Sequence, residues 1–101
     1  MYQIKIDQDA LNDLKEIVTW YNNQLQNLGV RFHKQVKSQI NALKTQPHIY
    51  NIRYKDVRCL LVKKFPFLIH YTINEKSCIV EIFAVFHTSR NPEIWNSRAK
   101  K

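Results

Sequence analysis

Glycine is nearly missing from these 101 residues: the single one, Gly29, excludes a glycine-rich phosphate loop and with it the usual nucleotide cofactors. Cysteine is almost as scarce. Cys59 and Cys78 stand 19 positions apart in apolar runs, too few for the disulfide framework of a small secreted domain, so both read as reduced core residues. The four histidines, His33, His48, His70 and His87, are separated by 15, 22 and 17 positions, and no group has the close ligand spacing of a zinc site; no metal and no cofactor are predicted. No apolar run approaches the roughly 18 residues of a membrane helix, and Met1-Tyr2-Gln3-Ile4-Lys5-Ile6 lacks the basic start of a signal peptide, which makes the cytosol the expected location. Repeats, low-complexity segments and Gly/Ser linkers are absent too, so residues 1–101 are read as one domain around one core.

Acidic residues are also few. Eight Asp and Glu against 16 Lys and Arg leave a formal charge of +8, which points to an acidic macromolecule as partner rather than a small-molecule substrate. The charge is uneven: residues 1–28 hold two lysines and four carboxylates, a net −2 that leaves +10 for residues 29–101.

The apolar pattern predicts the elements. Tyr2, Ile4 and Ile6 alternate with Gln3 and Lys5 as in a half-buried strand, and Asp7 offers an N-cap to a first helix. Leu11, Leu14, Val18, Tyr21, Leu25 and Leu28 recur at helical spacing as a core stripe, ending where Gly29 supplies a left-handed cap. Trp20 lies one step off that stripe as a candidate exposed contact. Phe32, Val36, Ile40 and Leu43 mark a second helix that stops near Pro47, giving an αα-hairpin. Three runs rich in Val, Ile and Phe come next, at 57–64, 67–73 and 78–86, joined by short turns as an antiparallel meander. Pro92 opens a short last helix in which Trp95 is the packing anchor, and Lys100 and Lys101 read as a frayed, solvated end. The fold class is therefore α+β in the order β-α-α-β-β-β-α, with the helical hairpin on one sheet face and the other face open unless a tail or partner covers it.

Several residues carry more than packing. Arg58 and Arg90 suit phosphate or carboxylate clamping. Lys63 and Lys64, beside Phe65 and Phe67, form a basic and aromatic turn that could meet nucleic acid; a solvated hairpin tip is the plainer reading. His70, between Ile69 and Tyr71, reads as structural. His87 ends the last strand beside Thr88-Ser89, where it either makes contact or transfers protons, or bonds the turn and holds Arg90.

Leu28-Gly29-x-x-Phe32, Pro47-x-x-Tyr50, Val57-Arg58, Phe65-Pro66-Phe67-x-Ile69-x-Tyr71 and His87-x-x-Arg90-x-Pro92-x-x-Trp95-x-x-Arg98, in that order, resemble the RelE/ParE superfamily of bacterial type II toxins. The resemblance implies a growth-inhibiting toxin with a cognate antitoxin whose acidic, partly disordered segment orders on binding. It implies one of two actions: ribosome-dependent cleavage of messenger RNA in the RelE-like branch, or poisoning of DNA gyrase in the ParE-like branch. RelE-like catalysis draws on Lys and Arg of the central strands and a C-terminal Tyr or His. Those positions fall here near Cys59, Leu61 and Leu68 and at Trp95, and only the arginine matches, at Arg90. The chain is thus closer to the ParE-like branch, with Arg58, Lys63, Lys64, His87 and Arg90 as the expected target or nucleic-acid contacts. The alternative is a metal-independent RNase using His87 as acid or base with Arg58 and Arg90 as clamps; a third reading is a chain that only binds its antitoxin.

Overall fold

The structure, a computed structural model, describes residues 1–99, so the Lys100–Lys101 end lies outside the described residues. Eight elements run in the order β1 (Gln3–Ile6), α1 (Gln8–Gln24), α2 (Leu28–Ala42), β2 (Ile52–Tyr54), β3 (Val57–Leu61), β4 (Phe67–Asn74), β5 (Ile79–His87) and α3 (Pro92–Ala99). They build a five-stranded sheet of order β1-β5-β4-β3-β2, antiparallel throughout except that β1 runs parallel to β5. The predicted α+β order holds, with one short strand, β2, added before the meander. Three residues of which Ile52 and Arg53 are exposed give no period to read, and their turn runs through Lys55 at φ 48° rather than through a glycine.

Asp7 sits at the N-cap of α1 in extended backbone, and its carbonyl accepts the first helical bond from Leu11 at 3.0 Å, but its side chain does not cap. The core face of α1 is Ala10, Leu14 and Tyr21 with Ile17 and Val18, so the predicted stripe holds at Leu14, Val18, Tyr21 and Leu28 and fails at Leu11 and Leu25. Leu11 is exposed on the outer side of the helix, and Leu25, the C-cap, has already left the helix in extended backbone. Phe32, Val36 and Ile40 on α2, and Leu43 at its C-cap, are all buried as their spacing predicts.

Gly29 is not the left-handed cap. Asn27 takes that conformation, at φ 69°, and Gly29 lies in the first turn of α2. Its role is close approach: a Cβ there would stand 2.3 Å from the Val18 carbonyl oxygen and 2.7 Å from Asn22 Oδ1, which accepts the Gly29 N–H at 2.7 Å. The single glycine thus lets α1 and α2 touch.

β3 stops at Leu61 rather than Lys64, since the Lys63 N–H turns to Gln39 Oε1 at 2.8 Å and Lys64 adopts φ 73°. Cys59 is buried, but Cys78 is exposed in the turn before β5 at φ 56°, a correction to its core reading. β5 is apolar on both faces. Val80, Ile82 and Val85 pack with the helical hairpin, and Phe83, Ala84 and Phe86 pack on the opposite face with Leu68, Cys59 and Trp95. Register supplies the reason: His70 pairs with Ala84 but Tyr71 with Ile82, so Phe83 is an extra residue. The tail covers part of that second face, as the buried Trp95 anchors α3 to it.

Candidate functional site

The candidate residues gather at one end of the sheet. The β3–β4 turn and the loop after β5 are tied by the Thr88 N–H to the Pro66 carbonyl at 2.9 Å, and the Arg90 N–H closes its own turn on the His87 carbonyl at 2.9 Å. This puts Lys63, Lys64, His87 and Arg90 at one end of the sheet but on different sides of it: Lys63 and Lys64 border a hollow with Arg31 and Gln35, whereas Arg90 lies over Phe86 on the second face. The two lysines are exposed and their ammonium groups have no hydrogen bond or ion pair among the described residues, so they are free to meet an anion.

The rings of that turn are committed elsewhere. Phe65 stacks edge-on against Tyr21 and Phe32 at 5.2 and 5.1 Å, and Phe67 meets Phe32 at 5.6 Å. They lock the turn to the helical hairpin and do not stand out as platforms for bases. The turn offers charge, not stacking.

Arg58 is not part of this end. It pairs with Tyr71, four residues along β4 from the Phe67–His87 pair, or about 13 Å at the rise of a strand. Its half-buried guanidinium donates to the Tyr50 carbonyl at 2.6 Å and the His48 carbonyl at 3.5 Å, which staples the α2–β2 connection to the sheet.

His87 has one nitrogen spoken for. Nδ1 accepts the Ser89 N–H at 3.0 Å and lies 2.8 Å from Ser89 Oγ. A backbone N–H can only donate, so the neutral ring must carry its proton on Nε2. In that state His87 offers a donor outward and has no free lone pair with which to take a proton. Its ring also stands edge-on to Phe67 at 5.2 Å.

His70 is fully buried on the second face, with Nδ1 2.9 Å from the Tyr54 hydroxyl and 3.5 Å from Cys59 Sγ, and with Trp95 at 4.7 Å. Burial, then the nearby Arg53 and Arg98 charges, pull its pKa down to about 4. Burial pushes the Cys59 thiol up to about 11 despite Arg53, and lifts Tyr54 further from neutrality. With His70 and Cys59 buried and Tyr54 half-buried, burial favours the neutral form of all three, in keeping with the structural reading of His70. Trp95 Nε1, over the same pocket, has no hydrogen-bond partner among the described residues.

Around α3 the second face carries arginine on aromatic rings. Arg53 lies over Trp95 at 6.0 Å, and Arg90 and Arg98 lie over Phe86 at 5.3 and 5.0 Å. Sequence reasoning passed over Arg53, whose only signal was its place in the unrecognised strand β2. The positions where the resemblance places catalytic groups hold a buried thiol at Cys59, an exposed aliphatic at Leu61, and buried apolar side chains at Leu68 and Trp95. Among the described residues no three His, Cys, Asp or Glu side chains cluster to hold a metal ion, and no helix is long and apolar enough to cross a membrane.

The comparisons agree with this fold. A family model described as ParE toxin of type II toxin-antitoxin system, parDE, matches residues 4–92. A structure of the chromosomal ParDE toxin–antitoxin system from P. aeruginosa is similar at TM-score 0.77 and 16% identity, over 88% of this chain and 98% of that one. A chain of the intact E. coli RelBE toxin-antitoxin complex gives TM-score 0.69 at 17% identity, over 89% and 100%. The archaeal RelE–RelB complex from Pyrococcus horikoshii OT3 gives 0.61 at 14%, over 89% and 98%. No curated protein matches the chain. At such identities the structural likeness speaks for the fold alone.

Proposed function

The chain belongs to the ParE toxin family of type II toxin–antitoxin systems, and from that premise we propose that it arrests growth by stoichiometric binding to a nucleic-acid machine, DNA gyrase, rather than by cutting RNA. The observation that carries this reading is the hydrogen bond that the Ser89 N–H donates to His87 Nδ1. Metal-free RNA cleavage needs one group to take the 2′-hydroxyl proton and another to protonate the leaving oxygen. His87, the half-buried candidate at the rim, has Nδ1 engaged by Ser89; His70 is buried, which disfavours its charged form; burial raises the Cys59 thiol well above neutral pH. What this end of the molecule offers instead is fixed positive charge from Lys63, Lys64 and Arg90, which suits an anionic surface. A cognate antitoxin is the partner expected to neutralise it, its acidic segment meeting the same basic residues.

The test is to induce the chain without antitoxin and follow DNA and messenger RNA through the first minutes of growth arrest. DNA breaks, a DNA-damage response and intact messages support gyrase as the target. Messages cut within translated regions, with intact DNA, overturn it in favour of a ribosome-dependent RNase, and arrest with neither lesion points to another target. Absence of any arrest leaves a module that only binds antitoxin.

A further inference from the structure

One groove has the wrong sign for a protein of charge +8. Between α1 and the end of the sheet lies an open hollow of about 500 Å³, lined by Glu16, Ile17, Trp20, Pro66, Phe67 and His87. Its lining is largely apolar and aromatic. Its one carboxylate, Glu16, is exposed and makes no hydrogen bond or ion pair among the described residues. Trp20 is 57% exposed, although it meets Tyr21 edge-on at 5.1 Å. One large aromatic side chain, Trp20, left open to water over an apolar hollow and beside an unpaired acid points to a ligand rather than to core packing.

Glu16 and Trp20 are one helical turn apart on α1, so their Cβ atoms are about 5–6 Å from each other and a single group can touch both. An anion, or a base carrying its phosphate, would meet the carboxylate and be repelled. A cation gains twice: from the face of the indole and from the carboxylate. Of the two common cations, guanidinium fits better, because its plane stacks on a ring while its fork of N–H groups reaches an acid, and it sheds water more readily than ammonium. We propose that this groove receives an arginine side chain of a protein partner, stacked on Trp20 and paired with Glu16. The groove lies beside α1, on the helical side of the sheet, and its chemistry is the same whichever target the protein inhibits.

The probe is N-acetyl-arginine amide, titrated into the full ¹⁵N-labelled chain at pH 8, where an ordinary histidine is uncharged. N-acetyl-citrulline amide, the same shape without charge, serves as control. The expected result is a saturable shift of the Trp20 indole signal and of the Ile17 and Phe67 amides, with little response to citrulline. Glu16→Gln, at an exposed position, should weaken the arginine amide by about threefold to fivefold, the size of one surface ion pair. Equal responses to the two probes, shifts that never saturate or scatter over the basic surface, or unchanged affinity in Glu16→Gln would each overturn the proposal.

Discussion

The Arg98 guanidinium meets the Asp13 carboxylate at 3.0 Å, and between them the two side chains finish the edge of β5 that β1 leaves bare. β1 pairs with β5 only as far as Ile82, whose carbonyl takes the Asp7 N–H. Beyond it, Asp13 Oδ2 accepts the Val85 N–H at 2.9 Å and Arg98 donates to the Phe83 carbonyl at 3.2 Å. A salt bridge from α1 to α3 thus stands in for a missing strand, and it falls beside the bulge at Phe83, where the ladder is most disturbed.

Asp13→Ala should therefore cost more than an ordinary surface pair. It strips a backbone donor of its partner and leaves Arg98 half-buried without its acid, a loss of about 1–3 kcal/mol. Urea unfolding of Asp13→Ala, Arg98→Ala and the double variant checks this. A double variant whose loss equals the sum of the singles would mean that the pair is not coupled.

Gly29→Ala should destabilise, against helix propensity. Alanine gains up to about 1 kcal/mol in a helix, but its Cβ would stand 2.3 Å from backbone oxygen of α1, and forcing the helices apart costs about 1–3 kcal/mol. The thermal midpoint should fall; a rise would mean that the hairpin adjusts freely.

His70 makes stability depend on pH. Its folded pKa, pulled down by burial to about 4, lies below the ordinary 6.5, so between those values the unfolded chain binds the proton and the folded chain does not. Stability from this residue is fully present above 6.5 and is lost as pH falls towards 4, on the order of 3 kcal/mol in all. The urea midpoint of the wild type should fall across that window, and His70→Gln should flatten the fall. Parallel curves would assign the slope to other groups. Because Trp95 packs on His70, its emission should move to the red at the acid end.

Arg58→Ala should lower stability without changing how the basic end binds. Its guanidinium holds two carbonyls of the α2–β2 connection, and charge-assisted bonds of this kind are worth about 1.5–3 kcal/mol. Both bonds leave one guanidinium nitrogen, and an ammonium carries three donors on a shorter side chain, so Arg58→Lys should recover part of the loss. Loss of target binding at full stability would return Arg58 to the contact surface.

The comparison of Arg58 with His87 marks where sequence stops being legible. Spacing found β1, both long helices and the meander strands, because each buries one apolar row or alternates between two faces, and Pro92 marked the start of α3. It did not find β2, whose three residues are mostly exposed, nor the parallel seat of β1, which depends on contacts more than 70 residues apart. It misplaced the left-handed turn on Gly29 since glycine permits that geometry, whereas Asn27 adopts it and the glycine answers to a steric need across the hairpin. A strand arginine and a strand-end histidine look alike as candidates. Only the fold reveals that Arg58 points at two carbonyls, while His87 stands at the rim with one nitrogen bonded by Ser89.

That bond separates binder from nuclease. A glutamine at 87 can present its amide oxygen to the Ser89 N–H and its amino group outward, so it reproduces the hydrogen bonding of neutral His87 but cannot titrate. His87→Gln should leave growth arrest nearly intact, whereas Lys63→Glu with Lys64→Glu should weaken target binding steeply and reduce its salt dependence, because each removed cation releases one fewer counterion. The measurement is arrest after induction in the three strains, with binding to gyrase–DNA complexes at two salt concentrations. If His87→Gln abolishes arrest while folding and antitoxin binding are preserved, the ring is moving a proton, and the exclusion built on Nδ1 fails with it.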